Sequence, residues 1–558
     1  MSRSIFRCDA TALVSGSIGS DPPRVRVQGF FRWLTLTVAA VAAAPPAAAQ
    51  QLVDPTLSLR VVTTNLGAPA GMAFIGHSDA LVLDKQTGQV KRVDIHAGAV
   101  LKVVLDLSVN NFSERGLLGI ALHPDFPRTP KVYLYHTERT SMGYPNGGGP
   151  NGLVPSSVGD TSVPLATPLL GNRLDRFTWS PVDGGSLTFD KNLIRLRALQ
   201  TETNDPSIPA LRNGNHDGGK IVFGRDEKLY VVIGDNGRRG NMQNLTLAQI
   251  KALPNVATQW TFNGKVQDDE FGGPEPDNAH LTGVVLRLND DGSTPTDNPF
   301  FQAGERMGGE VGANIQKVFS YGRRNSFAMA FDPYSGDLWI QENGGRAFDE
   351  IGLVTAGSNG GWIQTMGPLA RVYDFKSIEL AVGLNAGGGP IGLQQRRYLA
   401  DNIADLPGDA ASRLYMLPGA HYGDPKFSWK HTVSPAGLGF VKGRGLGPQY
   451  DGVMIIGTGV DRNLTGIKEG TDPAVLNADH GTLFRFHLTK NRRRIDFDDP
   501  ALEDRVADNR AHDDYITEQS TIILGTNFGI VTDIQTGPNG HLYLLSLNRG
   551  TLFEISAR

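Results

Sequence analysis

Residues 218–234, GGKIVFGRDEKLYVVIG, decide the fold. Two glycines open the apolar run IVF, Gly224 to Asp226 supply turn chemistry, and a second apolar run, LYVVI, returns to a glycine. Short runs of β-branched and aromatic residues on either side of a Gly/Asp turn make an antiparallel hairpin. The pattern recurs as GMAFIGHSDALVLD from Gly71, GIALHPDFPRTPKVYLYH from Gly119, AMAFDPYSGDLWIQE from Ala328, GLGFVKGRGLGPQYDGVMIIG from Gly437 and DIQTGPNGHLYLLS from Asp533. A lone hairpin leaves an apolar face uncovered, whereas units stacked around an axis cover one another. The repetition therefore predicts an all-β fold, a six-bladed β-propeller with long rim insertions.

The 68 glycines and 33 prolines of this 558-residue chain suit many short strands and tight turns. The copies are spaced more widely than ordinary blades, so TERTSMGYPNGGGPNGLVPSSVGDTSVP from Thr137 and FNGKVQDDEFGGPEPDNAH from Phe262 are expected to be rim insertions. SLRVV from Ser58 and TLFEI from Thr551 are expected to share the closing blade. A pair of β-sandwiches is the competing architecture, but sandwich strands lack this long-period repetition.

Residues 1–49 are expected to be a leader with a secretory signal peptide, and 50–558 the propeller. Arg24, Arg26 and Arg32 precede an apolar run over 33–44, and small residues follow up to Gln50. That run is shorter than the roughly 18 residues a membrane span needs. The expected location is periplasmic or secreted, with no membrane span in the mature chain. Cys8, the one cysteine, lies in the leader, so the exported part depends on core burial rather than disulfides. Loss of five arginines and two aspartates with the leader takes the formal charge from −4 to about −7. Such a chain is not expected to bind nucleic acid.

Aligning the repeats puts Ala121, Val222, Ala330 and Gln535 at equivalent places. Six or seven residues upstream stand Glu114, His216 and Arg324, the last followed by Asn325. The innermost strand of a blade runs along the axis, so residues at its entrance converge over one mouth of the channel. Asp235 ends the hairpin that His216 opens, and the antiparallel return brings its carboxylate back to the imidazole. In QENGGRAFDEIGLVTAGSNGGW (341–362), the carbonyls of Gly344 and Gly345 with nearby Asp349 suit a hard cation such as calcium; a tight loop with solvated acids is the plainer reading. The exported part has no GxSxG elbow, no cysteine and no HExxH, which removes the signatures of serine, cysteine and common zinc hydrolases.

Together, ERGLLGIALHPDF, HDGGKIVFGRDEKLYVVIGD, YGRRNSFAMAFDP and DEIGLVTAGSNGGW resemble the soluble quinoprotein glucose/sorbosone dehydrogenase family, from about Leu57 to the C-terminus. The resemblance implies a six-bladed propeller that oxidises aldose sugars with pyrroloquinoline quinone (PQQ) and calcium. It implies that His216 is the base and Asp235 its partner, and that Arg324, Asn325 and Asp349 lie at the quinone. It also implies that Glu114 stands where the family often has glutamine, and that the Gly344 and Gly345 carbonyls hold Ca2+. The chain departs from the family near its C-terminus, where an Arg-x-Arg-Asp run is replaced by IVTD, 530–533. A family lysine also aligns poorly, near Asp479 and His480, leaving Arg462 and Lys468 as candidate substitutes. The expected function is a PQQ- and calcium-dependent sugar dehydrogenase with an electron acceptor that no motif names. The alternatives are a carbohydrate-binding propeller without quinone, or a calcium-dependent lactonase-like hydrolase in which His216 activates water.

Overall fold

The computed structural model describes residues 49–111, 114–138, 171–198, 216–236, 261–262, 265–266, 281–381, 402–459, 481–509 and 518–558. The leader up to residue 48, most of both expected insertions, and Arg462, Lys468, Asp479 and His480 lie outside the described residues.

The opening hairpin forms as its sequence dictates. Ile221–Phe223 pairs antiparallel with Leu229–Ile233, Ile221 facing Val231 across the ladder. Val284–Leu288 and Val318–Tyr321 extend the sheet outward. Alternation along the strand then acts in two directions at once. Leu229, Val231 and Ile233 pack on Tyr133, Tyr135 and Leu174 of the preceding sheet. Tyr230 and Val232 pack on Met329, Leu338 and Ile340 of the following one. A sheet apolar on both faces is stable only between two neighbours, at roughly 1.5–3 kcal/mol for each large aliphatic side chain buried.

Six sheets satisfy one another in this way. Their innermost strands are Pro69–Phe74 (blade 1), Leu117–Leu122 (blade 2), Ile221–Phe223 (blade 3), Met329–Phe331 (blade 4), Pro435–Phe440 (blade 5) and Val531–Thr536 (blade 6). A separate apolar core fills each gap between neighbours, including the gap between blades 6 and 1, where Tyr543, Leu545 and Leu552 meet Met72 and Val82. The ring is closed by strands from both ends of the propeller: Leu57–Thr63 pairs with Thr551–Ala557, Leu59 opposite Ile555, as the two segments predicted.

Glycine inside the inner strands has a steric reason. A Cβ on Gly119 of blade 2 would sit 1.9 Å from the Gly219 carbonyl oxygen of blade 3, and one on Gly439 of blade 5 would sit 2.2 Å from that of Ile534 in blade 6. Other features carry no repeat signal. Ser358–Asn359 and His421–Tyr422 add parallel pairings to blade 3, Val506–Ala507 does so on blade 4, and Gln51–Leu52 pairs at the edge of blade 5. Helix Val372–Ala381 contributes Val372 and Phe375 to a satellite core with Phe348, Trp362 and Met366.

The innermost strands enclose an axial cavity of about 430 Å³ whose wall includes Ala121, Val222, Ala330 and Gln535, the four positions the repeat alignment equates. Among the described residues no helix is long and apolar enough to cross a membrane.

Candidate active site

The histidine of the opening hairpin is built into a tight corner. His216 has φ +59°, a left-handed conformation unusual for a residue with a side chain, and is 4% exposed. Its backbone N–H donates to Glu114 Oε2 at 2.5 Å, tying blade 3 to the strand entrance of blade 2. Its ring Nδ1 lies 2.6 Å from Asp235 Oδ1, so Nδ1–H donates to the carboxylate and Nε2 carries the lone pair.

Asp235 arrives by the hairpin return, and Gly234 makes the approach possible. A Cβ on Gly234 would stand 2.5 Å from the His216 carbonyl oxygen, 2.7 Å from that of Arg324 and 2.8 Å from His216 Cβ. The second carboxylate oxygen, Asp235 Oδ2, accepts a hydrogen bond from Trp362 Nε1 at 2.8 Å. The Asp235 N–H donates to the Arg324 carbonyl oxygen at 2.9 Å, which brings blade 4 to the dyad. Buried dyads keep one orientation when every polar atom is served, and here both carboxylate oxygens are.

Arg324 stacks its guanidinium over the Trp362 ring, 5.4 Å from the centroid, and donates through one terminal nitrogen to the carbonyls of Asn343 (2.6 Å) and Gly344 (2.8 Å). Asn325 is buried alongside, its carbonyl accepting from the Asn343 N–H. The structure thus joins Glu114, His216, Asp235 and Arg324 through hydrogen bonds, with Asn325 next in the chain. Asp349 is used otherwise. Its Oδ1 accepts the Gly344 N–H at 2.7 Å, and its Oδ2 those of Val433 (2.5 Å) and Ser434 (2.6 Å). These bonds clamp the glycine turn to blade 5. Burial pushes the Asp349 carboxyl up to about 7 despite the three amide donors.

A second layer of charge lies behind His216. Asp217, fully buried, accepts from Asn172 Nδ2 at 3.1 Å, and burial pushes its carboxyl up to about 6. Burial lowers the Lys85 ammonium to about 8, and the nearby Glu114 and Asp217 carboxylates oppose that shift.

Several buried polar atoms have no hydrogen-bond partner among the described residues: Arg324 Nε, Asn325 Oδ1, Asp217 Oδ2 and both side-chain polar atoms of Asn236. Buried polar groups are normally paired, so such a cluster around His216, Asp235 and Arg324 is the mark of a site for a polar ligand. Arg324 Nε and Asn236 Nδ2 can donate to carbonyl and carboxylate oxygens, while Asn325 Oδ1, Asn236 Oδ1 and Asp217 Oδ2 can accept from hydroxyls. A calcium ion on the Gly344 carbonyl would meet a like charge, because that oxygen accepts from the Arg324 guanidinium. A Cβ on Gly345 would stand 3.2 Å from Glu379 Oε1 and 3.8 Å from Arg324 Nη2. Among the described residues no group of three His, Cys, Asp or Glu side chains could hold a metal.

Sequence reasoning did not assign Trp362, which is 127 residues from Asp235, or the ion pair of Lys220 with Asp533, 313 residues apart. Only an explicit blade alignment brings such positions together.

A family model described as Glucose / Sorbosone dehydrogenase matches residues 66–149 and 263–374. Quinoprotein glucose dehydrogenase B of Acinetobacter calcoaceticus is 29% identical over 314 residues, 55% of this chain; the match spans about half, 52%, of that protein's own length. Aldose sugar dehydrogenase YliI of Escherichia coli is 23% identical over 90% of this chain and 94% of its own. The crystal structure of the soluble aldose sugar dehydrogenase of E. coli, in its apo form, superposes with a TM-score of 0.53 at 21% identity, covering 90% of this chain and all of that one. This last likeness is one of fold.

Proposed function

We propose that this chain, which is similar to glucose/sorbosone dehydrogenases, oxidises aldose sugars or related alcohols with PQQ at the mouth formed by blades 2, 3 and 4. The observation that carries this reading is the dyad: His216 Nε2 is the ring nitrogen left without a partner among the described residues, on an imidazole fixed through Nδ1 by Asp235, itself fixed by Trp362.

The bound quinone supplies a two-electron acceptor for hydride. The protein's own part is the proton. A sugar hydroxyl directed at His216 Nε2 gives up its proton there as the C–H hydrogen leaves as hydride, and Asp235 holds the resulting imidazolium in place. Positioned bases of this kind contribute about 10²- to 10⁴-fold in rate. Arg324 Nε is suited to donate to a carbonyl or carboxylate oxygen of the cofactor, and Asn325 Oδ1 to accept from a hydroxyl or N–H of the ligand. The Glu114 carboxylate fixes the His216 backbone, so it acts on the base from behind.

The Arg324 guanidinium takes the place of a cation at the Gly344 carbonyl, and proton transfer to His216 needs no metal. Wild-type protein given PQQ should reduce an acceptor dye with aldoses and continue to do so in excess EDTA. Dye reduction absent at saturating PQQ contradicts the activity; reduction lost on chelation and restored by calcium contradicts the metal-free reading.

One observation favours a second reading, a sugar-binding propeller without quinone. The blade 6 wall carries Ile530 and Thr532 instead of cations, and the Thr532 hydroxyl donates to the Pro69 carbonyl at 2.8 Å. Sugar binding without PQQ binding would select it.

A further inference from the structure

The innermost strand of blade 3 begins just after Lys220, four residues beyond His216. Its ammonium reaches Asp533 Oδ1, in the innermost strand of blade 6, at 2.6 Å. In a ring of six, blades 3 and 6 face each other, so this ion pair spans the diameter of the channel. It lies at the site's end of the cavity, one residue from Thr532, whose hydroxyl bonds the first residue of blade 1's inner strand.

The pair is uneven. Asp533 is anchored several times over: Oδ2 accepts the Met72 N–H (2.9 Å) and Gln535 Nε2 (3.0 Å), and Oδ1 also accepts the Ile534 N–H (3.0 Å). Its carboxylate stays satisfied whether or not the lysine is present. Lys220 has three ammonium hydrogens, and its one hydrogen bond among the described residues goes to Asp533. Its side chain is 13% exposed, and among the described residues lining the cavity it is the one cation. Asp533 thus acts as a fixed post that aims a cation with unused donors into the pit, opposite a wall where Ile530 and Thr532 offer no charge.

We propose that Lys220 is the carboxylate-binding cation of this pit, gripping an anionic ligand group while remaining tied to Asp533. The inference rests on the reading of a tricarboxylate cofactor for its natural ligand, but the grip itself requires only a carboxylate. A desolvated ammonium–carboxylate hydrogen bond is among the stronger ones, and the neighbouring Asp533 charge works against it.

The two partners therefore have opposite predicted effects, which a merely structural ion pair would not give. Binding to ligand-free protein is measured by calorimetry for PQQ and for benzene-1,3,5-tricarboxylate, which has no quinone. Lys220→Met should weaken both at least tenfold, and Lys220→Arg should retain most of the affinity. Asp533→Asn, which keeps an acceptor for Met72 but removes the charge, should tighten both by about three- to tenfold. Circular dichroism and melting establish that each variant is folded; if Asp533→Asn is not, the contrast between Lys220→Met and Lys220→Arg decides alone. Equal affinity of the Met and Arg variants overturns the proposal, as does weakening by both Lys220→Met and folded Asp533→Asn, or wild type binding neither probe. Lys220-dependent binding of the tricarboxylate without binding of PQQ would uphold the grip and remove the quinone reading.

Discussion

The wall of the pit built by blades 2 to 4 and the wall built by blade 6 differ in how their polar atoms are held. On the first wall Glu114, His216, Asp235, Trp362 and Arg324 form one continuous set of hydrogen bonds and a cation–π contact, with Gly234 giving the room to close it. On the second, Ile530 carries no charge, the Thr532 hydroxyl is directed to a backbone carbonyl, and among the described residues lining the cavity the one cation is Lys220, reaching in from blade 3. The first wall is organised for proton transfer, which demands a fixed nitrogen. The second has only to receive charge, and one aimed cation is enough for that.

Substitutions test this contrast most severely where the first wall is tightest. Gly234→Ala should have the largest effect, because its methyl would overlap His216 and Arg324 backbone atoms that cannot move independently. We expect loss of turnover and about 1–3 kcal/mol of stability, typical of overpacking, measured by dye reduction and urea unfolding. A variant with wild-type activity and midpoint would show that the dyad is not held by this close approach. Trp362→Phe keeps an aromatic ring, though a smaller one, and removes the N–H that serves Asp235. It should lower kcat about tenfold with KM little changed, in line with loss of a hydrogen bond to a charged group; a change confined to KM would make the tryptophan a binding residue instead.

Asp349 is read through stability rather than turnover, and it gives a pH signature. Burial holds its carboxyl up to about 7 against an ordinary 3.8, so the folded chain retains a proton that the unfolded chain releases. Stability should therefore fall as pH rises from about 4 to about 7 and level off above, with Asp217 acting in the same direction up to about 6. Asp349→Asn should flatten part of that slope and, at neutral pH, cost about 1–3 kcal/mol, since an amide nitrogen would oppose the Val433 and Ser434 N–H donors. Urea unfolding at a series of pH values measures both; an unchanged slope would mean the carboxyl titrates normally.

Much of the fold was legible because it rests on local periodicity. Strand pairs with glycine at the close approaches and alternation that serves two neighbours at once mark each blade, and SLRVV and TLFEI find one another as the ring closes. The added pairings of Ser358–Asn359, His421–Tyr422 and Val506–Ala507 were not legible, since two-residue ladders leave no period to read. In the site, the contact of His216 with Asp235 followed from hairpin geometry. Trp362 did not, because the chain returns to the dyad from blade 4 after 127 residues. Asp349 shows the limit of reading residue types alone. An acid beside two glycines suggests a metal, whereas the fold directs both its oxygens to backbone amides.

The central claim is that His216 Nε2 takes the proton, and a single-turnover experiment tests it most directly. Protein loaded with PQQ is mixed with an aldose, and quinone reduction is followed by absorbance in wild type and in His216→Gln, with PQQ affinity measured for both. The account predicts equal cofactor binding and a reduction rate lower by about 10²- to 10⁴-fold in the variant; equal rates at equal occupancy would contradict it.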